Sequence, residues 1–432
     1  MNLGLDLDLG LGLNPELRVR SGDLSSEGGE LVRPDYQGLS LVNLTATILK
    51  LFGREPPHPP LPEGLLPDLG GVRKVILLVL DALGWEGLQP LLQEGELIFS
   101  KLVEGHEGRL LQLTSTFPAT TTTALATLTT GLTPAEHGLL GFRLFLKEFG
   151  LVANMLTLSP EGFNRPDVLL ELGLKPRRFF PAETVYERLS PEVKSFALIK
   201  LPFVRSGLSH LLYRGAQVQP IIGSSDLSLQ MRRLLEQDPN GLLFLGAYWD
   251  ALDGIGHLYG PSQEELQAEL RQLSFSLEHE FLEKLSPKVA QGTLLLITAD
   301  HGQVEVRKEE MFSITRHPRL MRSLLLPPTG DFRASYLHLR RGELGPIKRY
   351  LRRYADRLLV LESDEALVMG LFGPPPGIGI REEWQPRLGD LVLLARGRGF
   401  IFYPYSDLIL KGYHGGLSPE EMLVPLFALR LG

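Results

Sequence analysis

The chain contains no cysteine. Disulfides, thiolate zinc sites and a cysteine nucleophile are therefore excluded, and any metal must rest on His, Asp, Glu or a hydroxyl. The redox compartment stays open, because a chain without thiols is stable in either. No stretch approaches the ~18 apolar residues of a membrane span. The opening MNLGLDLDLGLGLNPELRVR lacks the basic start and unbroken apolar run of a secretory signal, since Asp6 and Asp8 interrupt it. A cytoplasmic location without a membrane partner is the expectation. An excess of basic residues is also missing. Lys and Arg number 44 against 51 Asp and Glu, a formal net charge of -7, so nucleic acid is not an expected partner. A small anionic substrate stays open, because local metal charge outweighs a mildly acidic whole. Nothing in the sequence marks an oligomeric state.

What is present is ordinary for a soluble globular protein: 432 residues, 43% hydrophobic and 22% charged. That length suits one large α/β domain or a core with an insertion. Residues 1–70, rich in Gly, Pro and Leu, read as an N-terminal arm. Within it 41–52 suits a helix, and REPPHPPLPEG (54–64) an irregular segment. Three continuous apolar runs follow: VILLVL (75–80), LLFLGAYW (242–249) and TLLLIT (293–298). Such runs are expected of strands covered on both faces. Helical patterns at 118–130, 225–236 and 263–285 separate them. The expected fold is thus α/β, a three-layer core with a mostly parallel sheet flanked by helices. Residues 71–330 read as the first part of this core and 386–432 as its second. Between them, 331–385 reads as a small α+β insertion with strands at SYLHL and RLLVLE and a basic helix at GPIKRYLRRYAD.

Ligands of open α/β sheets bind beyond the carboxyl ends of the strands. Asp81 directly follows the first apolar run, and Asp300 and His301 follow the third. After the second, WDALDGIGHLYGP offers Asp253 and His257, four apart and on one face if the segment is helical. His414 lies in GYHGGLSPEE. In LTSTFPATTTTALATLTTGL, Pro118 and Gly131 bracket a helix expected at about 117–130, with Thr116 at its N-cap. A hydroxyl there meets free N–H groups and the positive end of the helix dipole, which suit a phosphoryl anion. Alone, each of these residues is more often a cap, a surface ion pair or an ordinary loop histidine. Together they supply enough carboxylate, imidazole and hydroxyl ligands for two divalent ions. His with carboxylate suits Zn2+ and also Mn2+. Two such ions serve an in-line displacement at phosphorus.

The segments LLVLDALG, TSTFPATTTTALATLTTGLTPAEHG, DGIGHLYGP, TADHG and YHGG, in that order, resemble the alkaline phosphatase superfamily, within it the type I phosphodiesterase/nucleotide pyrophosphatase branch. The resemblance implies one metal on Asp253, His257 and His414 and a second on Asp81, Thr116, Asp300 and His301. It implies Thr116 as nucleophile, a phosphothreonine intermediate, hydrolysis by water, and a small phosphate-containing substrate cleaved at a diester or anhydride. One position departs: the branch carries Asn after Phe-Pro, where this chain has Ala119, which donates no side-chain hydrogen bond. Thr120, Thr121 or a backbone N–H is expected to replace it. Lys200 and His317 are further candidates for substrate contact. Asp250 is expected to orient a ligand from behind, and His137 to pack structurally. A phosphomonoesterase or phosphomutase of the same superfamily is the alternative, with RRGELGPIKRYLRR (340–353) as the only Arg-rich clamp. A non-catalytic binding protein is the alternative of another class.

Overall fold

The structure, a computed structural model, describes residues 31–95, 97–99, 108–373, 380–405 and 409–432. Its centre is a seven-stranded sheet. Lys74–Leu80 runs parallel to Leu243–Trp249 on one side and to Thr293–Thr298 on the other. Every residue of 74–80 and of 293–298 is buried, as the two unbroken apolar runs require. Lys194–Lys200 and Gln217–Ile221 extend the sheet in parallel beyond 243–249. On the other side, Leu423–Leu431 is the single antiparallel member, between 293–298 and Arg109–Thr114. The expected α/β class and mostly parallel sheet are therefore present. No helix among the described residues is long and apolar enough to cross a membrane.

The helix Leu41–Leu51 forms where its pattern predicts, as does Ser224–Glu236. The segment 54–64 is irregular, as expected, and buries Leu61. Residues 1–30 of the expected arm lie outside the described residues. Glu264–Ser276 is α-helical and continues as a π-helical turn over Leu277–Leu282.

The threonine-rich helix begins later than its sequence indicates. It spans Thr121–Thr130, and its N-cap is Thr120 rather than Thr116. A residue that precedes proline is pushed out of the helical region, so Phe117 cannot start the helix. Thr120 is extended, and its carbonyl accepts the N–H of Ala124 at 2.9 Å. The helix is buried throughout. It tolerates this because its hydroxyls donate to backbone carbonyls, Thr129 to Leu125 at 2.8 Å and Thr130 to Ala126 at 2.6 Å.

A second seven-stranded sheet packs beside the first, ordered Leu358–Glu362, Leu391–Ala395, Ala334–Leu337, Thr329–Gly330, Arg143–Leu146, Leu151–Asn154 and Ser159–Pro160. It corrects the expected insertion at both ends. GDLVLLA, assigned to the returning core, pairs with SYLHL and RLLVLE, and strands from 143–160 join them. An apolar pentapeptide specifies a strand, whereas its partner depends on long-range pairing. Expected helix GPIKRYLRRYAD is present over Leu344–Leu351 with a 3-10 turn to Tyr354.

The two sheets are tied together by a fully buried ion pair. Arg333 Nη2 lies 2.8 Å from Glu421 Oε2, and both side chains have no exposed surface. Arg333 Nη1 also donates to the carbonyls of Gly397 (2.9 Å) and Gly399. Glu421 accepts in addition from Gly416 N (2.7 Å) and Ser418 Oγ (2.8 Å). Burial by itself would raise the Glu421 carboxyl, but Arg333 and these donors outweigh it and hold it below the usual range. Removing one partner strands the other charge. Glu421→Ala is expected to lower stability by about 3–5 kcal/mol. Arg333→Met/Glu421→Leu, which removes both charges, is expected to lose clearly less. Urea unfolding of the variants checks this, and equal losses would refute the assigned role of the pair.

Candidate metal centre

At the carboxyl edge of the central sheet the chain turns abruptly after each strand. Ala82, directly after Asp81, adopts left-handed backbone at φ 63°. This turns its N–H onto Asp300 Oδ1 at 3.1 Å. Asp300 Oδ1 also accepts from His301 N at 2.9 Å. Close approach of these turns depends on glycine: a Cβ on Gly302 would collide with the Glu420 carbonyl and Gly84. After the 243–249 strand the chain enters the helix Ala251–Tyr259, which places Asp253 and His257 one turn apart. His414 follows Gly412–Tyr413, which pairs with Val304–Glu305 and so holds its loop against the His301 turn. The rings of His301 and His414 stack at 3.9 Å.

These six side chains converge. Asp253 Oδ1 lies 3.3 Å from His257 Nε2 and 3.7 Å from His414 Nε2. His301 Nε2 lies 3.5 Å from Asp81 Oδ1 and 3.5 Å from Asp300 Oδ2. Ligand atoms of Asp253, His257 and His414 lie within 4.8 Å of one another, as do those of Asp81, Asp253 and His301. Asp253 thus stands between two groups.

The donor set fits divalent ions on its own terms. Each histidine presents Nδ1 to a backbone carbonyl: His257 to Gly412 at 2.7 Å, His301 to Gly302 at 3.1 Å and His414 to Ala119 at 3.0 Å. A carbonyl only accepts, so Nδ1 carries the proton and Nε2 keeps a lone pair facing the carboxylates. Asp81 Oδ1 and Asp300 Oδ2 are buried without a hydrogen-bond partner. Burial, followed by repulsion from Asp300 and Asp253, raises the Asp81 carboxyl well above its usual range. Burial raises Asp300 to about 6. For Asp253, burial is outweighed by His257 and the other imidazoles, and its carboxyl is held low. Burial lowers His301 to about 4, and burial with the neighbouring His301 lowers His414 to about 3, so both are neutral at pH 7. Neutral His301 and His414 beside partnerless, mutually repelling carboxylates are a donor set suited to a divalent cation.

Thr116 is fully buried, and its hydroxyl donates to Pro118 O at 3.1 Å. Its neighbour Ser115 fastens the loop to the cluster, with Oγ donating to the Asp300 carbonyl and N donating to Met422 O at 2.7 Å. Thr121 Oγ1 lies 3.1 Å from His301 Nε2. Thr120 is turned away, its hydroxyl donating to Asp331 Oδ1 at 3.2 Å. Lys200 and Asp250 pair with each other at 2.6 Å, with the ammonium over Trp249. They stand at the correct sheet edge, but Asp250 braces Lys200 and makes no hydrogen bond or ion pair with a candidate ligand. His317 is engaged elsewhere, stacked on Phe312 and 2.8 Å from Tyr350 Oη. His137 is buried, accepting from Leu139 N at 3.1 Å.

Three contributors lie outside the residues that the sequence singles out. Tyr248 donates its hydroxyl to Asp81 Oδ2. Gln303 Nε2 donates to Asp253 Oδ1 at 2.5 Å and to the Asp253 carbonyl at 3.1 Å. Asp331, raised to about 7 by burial, receives Thr120 and the Phe142 N–H. Only the placement of Gln303 just past TADHG hinted at proximity.

Solved structures share this fold. The chain belongs to the type I phosphodiesterase/nucleotide pyrophosphatase family, whose profile matches residues 75–169 and 202–417. Similar solved structures include murine ectonucleotide pyrophosphatase/phosphodiesterase 5, with TM-score 0.58, 17% identity, and 82% of this chain and 87% of that one covered. A second structure of the murine protein, described as inactive through a threonine-to-alanine change, is in complex with AMP; it has 18% identity, TM-score 0.58 and the same coverage. Phosphonoacetate hydrolase from Sinorhizobium meliloti 1021, in complex with phosphonoformate, matches with TM-score 0.60 and 17% identity over 84% of this chain and 92% of that one. No curated protein matches the chain in sequence.

Two outcomes follow from the geometry. Gln303→Ala is expected to weaken Zn2+ or Mn2+ binding about 10–100-fold, measured by calorimetry. The metal-free protein is expected to lose thermal stability as pH rises above about 6.5, the unfolded value of histidine. Asp81 is raised well above its usual range, and His257 is raised because Asp253 outweighs the burial that lowers it, whereas Asp331, raised to about 7, has given up most of its share by then. Groups raised in the folded state give up their stabilisation as pH climbs through the folded values. The lowered His301 and His414 act oppositely only below their unfolded value of about 6.5. Melting curves without and with metal check this, and a rising or flat metal-free profile would overturn the reading.

Proposed function

We propose that the protein hydrolyses a phosphodiester or phosphoanhydride through Thr116, at a centre for two divalent ions. The observation that carries this is the tautomer set by three backbone carbonyls, which turns Nε2 of His257, His301 and His414 onto one group of carboxylates. One ion would rest on Asp253, His257 and His414, the other on Asp81, Asp300, His301 and the Thr116 hydroxyl. The imidazole and carboxylate donors favour Zn2+ and accept Mn2+. When bound, the pair would supply positive charge that lowers the pKa of a hydroxyl and stabilises oxygens at the reacting phosphorus.

The chain's own groups do the rest. Thr116 Oγ attacks phosphorus and gives its proton to solvent water, and the bond to the leaving ester or phosphate oxygen breaks, an alcohol leaving group taking up a proton from water. Water then cleaves the phosphothreonine and restores the hydroxyl. Thr121 stands where it can donate to a phosphoryl oxygen once His301 Nε2 is engaged, the role denied to Ala119. Lys200, braced by Asp250, places a cation at the same sheet edge for a charged substrate. The AMP held by the inactive threonine variant of the murine structure supports a nucleotide-like substrate and a threonine nucleophile.

Thr116→Ala is expected to reduce turnover of bis-p-nitrophenyl phosphate at least about 10^3-fold while Zn2+ affinity changes no more than about tenfold. Wild-type turnover in that variant would remove Thr116 as nucleophile. Faster cleavage of p-nitrophenyl phosphate than of the diester by the wild type would favour a monoesterase.

A further inference from the structure

A cavity of about 650 Å³ opens between the 173–181 segment and the 381–387 segment, lined by none of the metal-centre residues. Its volume falls in the range of small-molecule sites, roughly 300–1,000 Å³. At its wall lies Arg387, which is only 3% exposed. The Arg387 guanidinium is bracketed by the rings of Phe179 at 4.8 Å and Trp384 at 5.5 Å. Nη1 donates to Gly138 O at 2.6 Å, and Nη2 is 3.7 Å from Glu148 Oε1. Nε is buried without a hydrogen-bond partner. Burial lowers this guanidinium to about 10, a sign that its charge is poorly compensated. Nε itself is closed to solvent, so what the cavity receives from Arg387 is the field of an incompletely paired charge, which favours an oxyanion there.

The rim strengthens the case. Lys175 and Arg178 line the cavity and are exposed. Neither forms an ion pair among the described residues. Arg381 lies over Trp384 at 4.9 Å and reaches Glu383 only at 3.7 Å. Four cations face two carboxylates, Glu148 and Glu383. The excess of two matches a phosphate monoester, whose charge near neutrality is about -1.5 to -2. Phe149, Leu174, Phe179 and Pro181 provide an apolar wall that inorganic phosphate would leave uncovered.

We propose that this cavity binds an organic phosphate monoester of about nucleotide size, with its phosphate on the cations and its organic part on the apolar wall. The site is separate from the metal centre. Gly138 closes the Pro134–His137 turn, next along the chain from the Thr121–Thr130 helix. That helix, ~15 Å long, starts at the loop carrying Thr116. Binding there is independent of the proposed hydrolysis.

The test titrates metal-free full-length protein, kept in EDTA at low ionic strength, with AMP in a calorimeter. The expected result is one site per chain, with inorganic phosphate binding at least about tenfold more weakly. Lys175→Ala/Arg178→Ala changes only exposed side chains and is expected to weaken AMP binding at least about tenfold. Asp253→Asn, at the metal centre, is expected to leave it unchanged. AMP binding equal in the Lys175/Arg178 variant, absent at millimolar AMP, or lost in Asp253→Asn would overturn the proposal.

Discussion

The buried Arg333–Glu421 pair is the constraint on which the site depends. Glu421 is not a candidate ligand, yet the segment around it touches the loops that carry His414, His301 and Thr116. Its carboxylate takes the N–H of Gly416 and the hydroxyl of Ser418, shaping the loop after His414. The Glu421 carbonyl accepts Gly302 N at 2.9 Å, beside His301, and the next carbonyl, of Met422, accepts Ser115 N, beside Thr116. Arg333 directly precedes the 334–337 strand of the second sheet and Glu421 lies just before the 423–431 strand of the first, so the pair also fixes how the sheets meet. A charge pair with all its hydrogen bonds met has little tolerance for displacement, because any shift exposes an unpaired buried charge.

Rigidity matters because the centre is electrostatically unfavourable without cations. Asp81 and Asp300 are buried beside Asp253, and burial with mutual repulsion makes these two carboxyls hold protons. The fold withstands this with contacts from main chain and side chain: the N–H groups of Ala82 and His301 donate to Asp300, and the Tyr248 hydroxyl donates to Asp81. The histidines are governed by main chain too. Ala119 is informative here. Its side chain offers nothing polar, but its carbonyl orients His414. The residue that departs from the family pattern therefore still serves the site through an atom every residue has.

Much of the sheet was legible in advance because burial on both faces leaves a direct trace, an apolar run with no alternation, at 75–80 and 293–298. Turn glycines and strand-terminal Asp residues then pointed to the edge where ligands gather. The start of the threonine helix was misplaced because Pro118 suits a first helical turn, yet constrains Phe117 before it. The second sheet was misjudged for a different reason. Its strands come from 143–160, 329–337 and 358–395, and nothing local in GDLVLLA distinguishes a partner at 334–337 from one in the main sheet.

The sequence by itself determined the chemical types at the centre, their order along the chain, and the α/β class, because these follow from residue identity and hydrophobic period. Only the tertiary structure decided which nitrogen of each histidine is free, which carboxylate oxygens lack a partner, and that Asp253 stands between two ligand groups. It alone brought Gln303, Tyr248 and Glu421 into the site and turned Thr120 toward Asp331. Those outcomes depend on contacts between residues far apart in sequence, and a hydrogen bond from one turn to the carbonyl of another leaves no periodic mark in either segment.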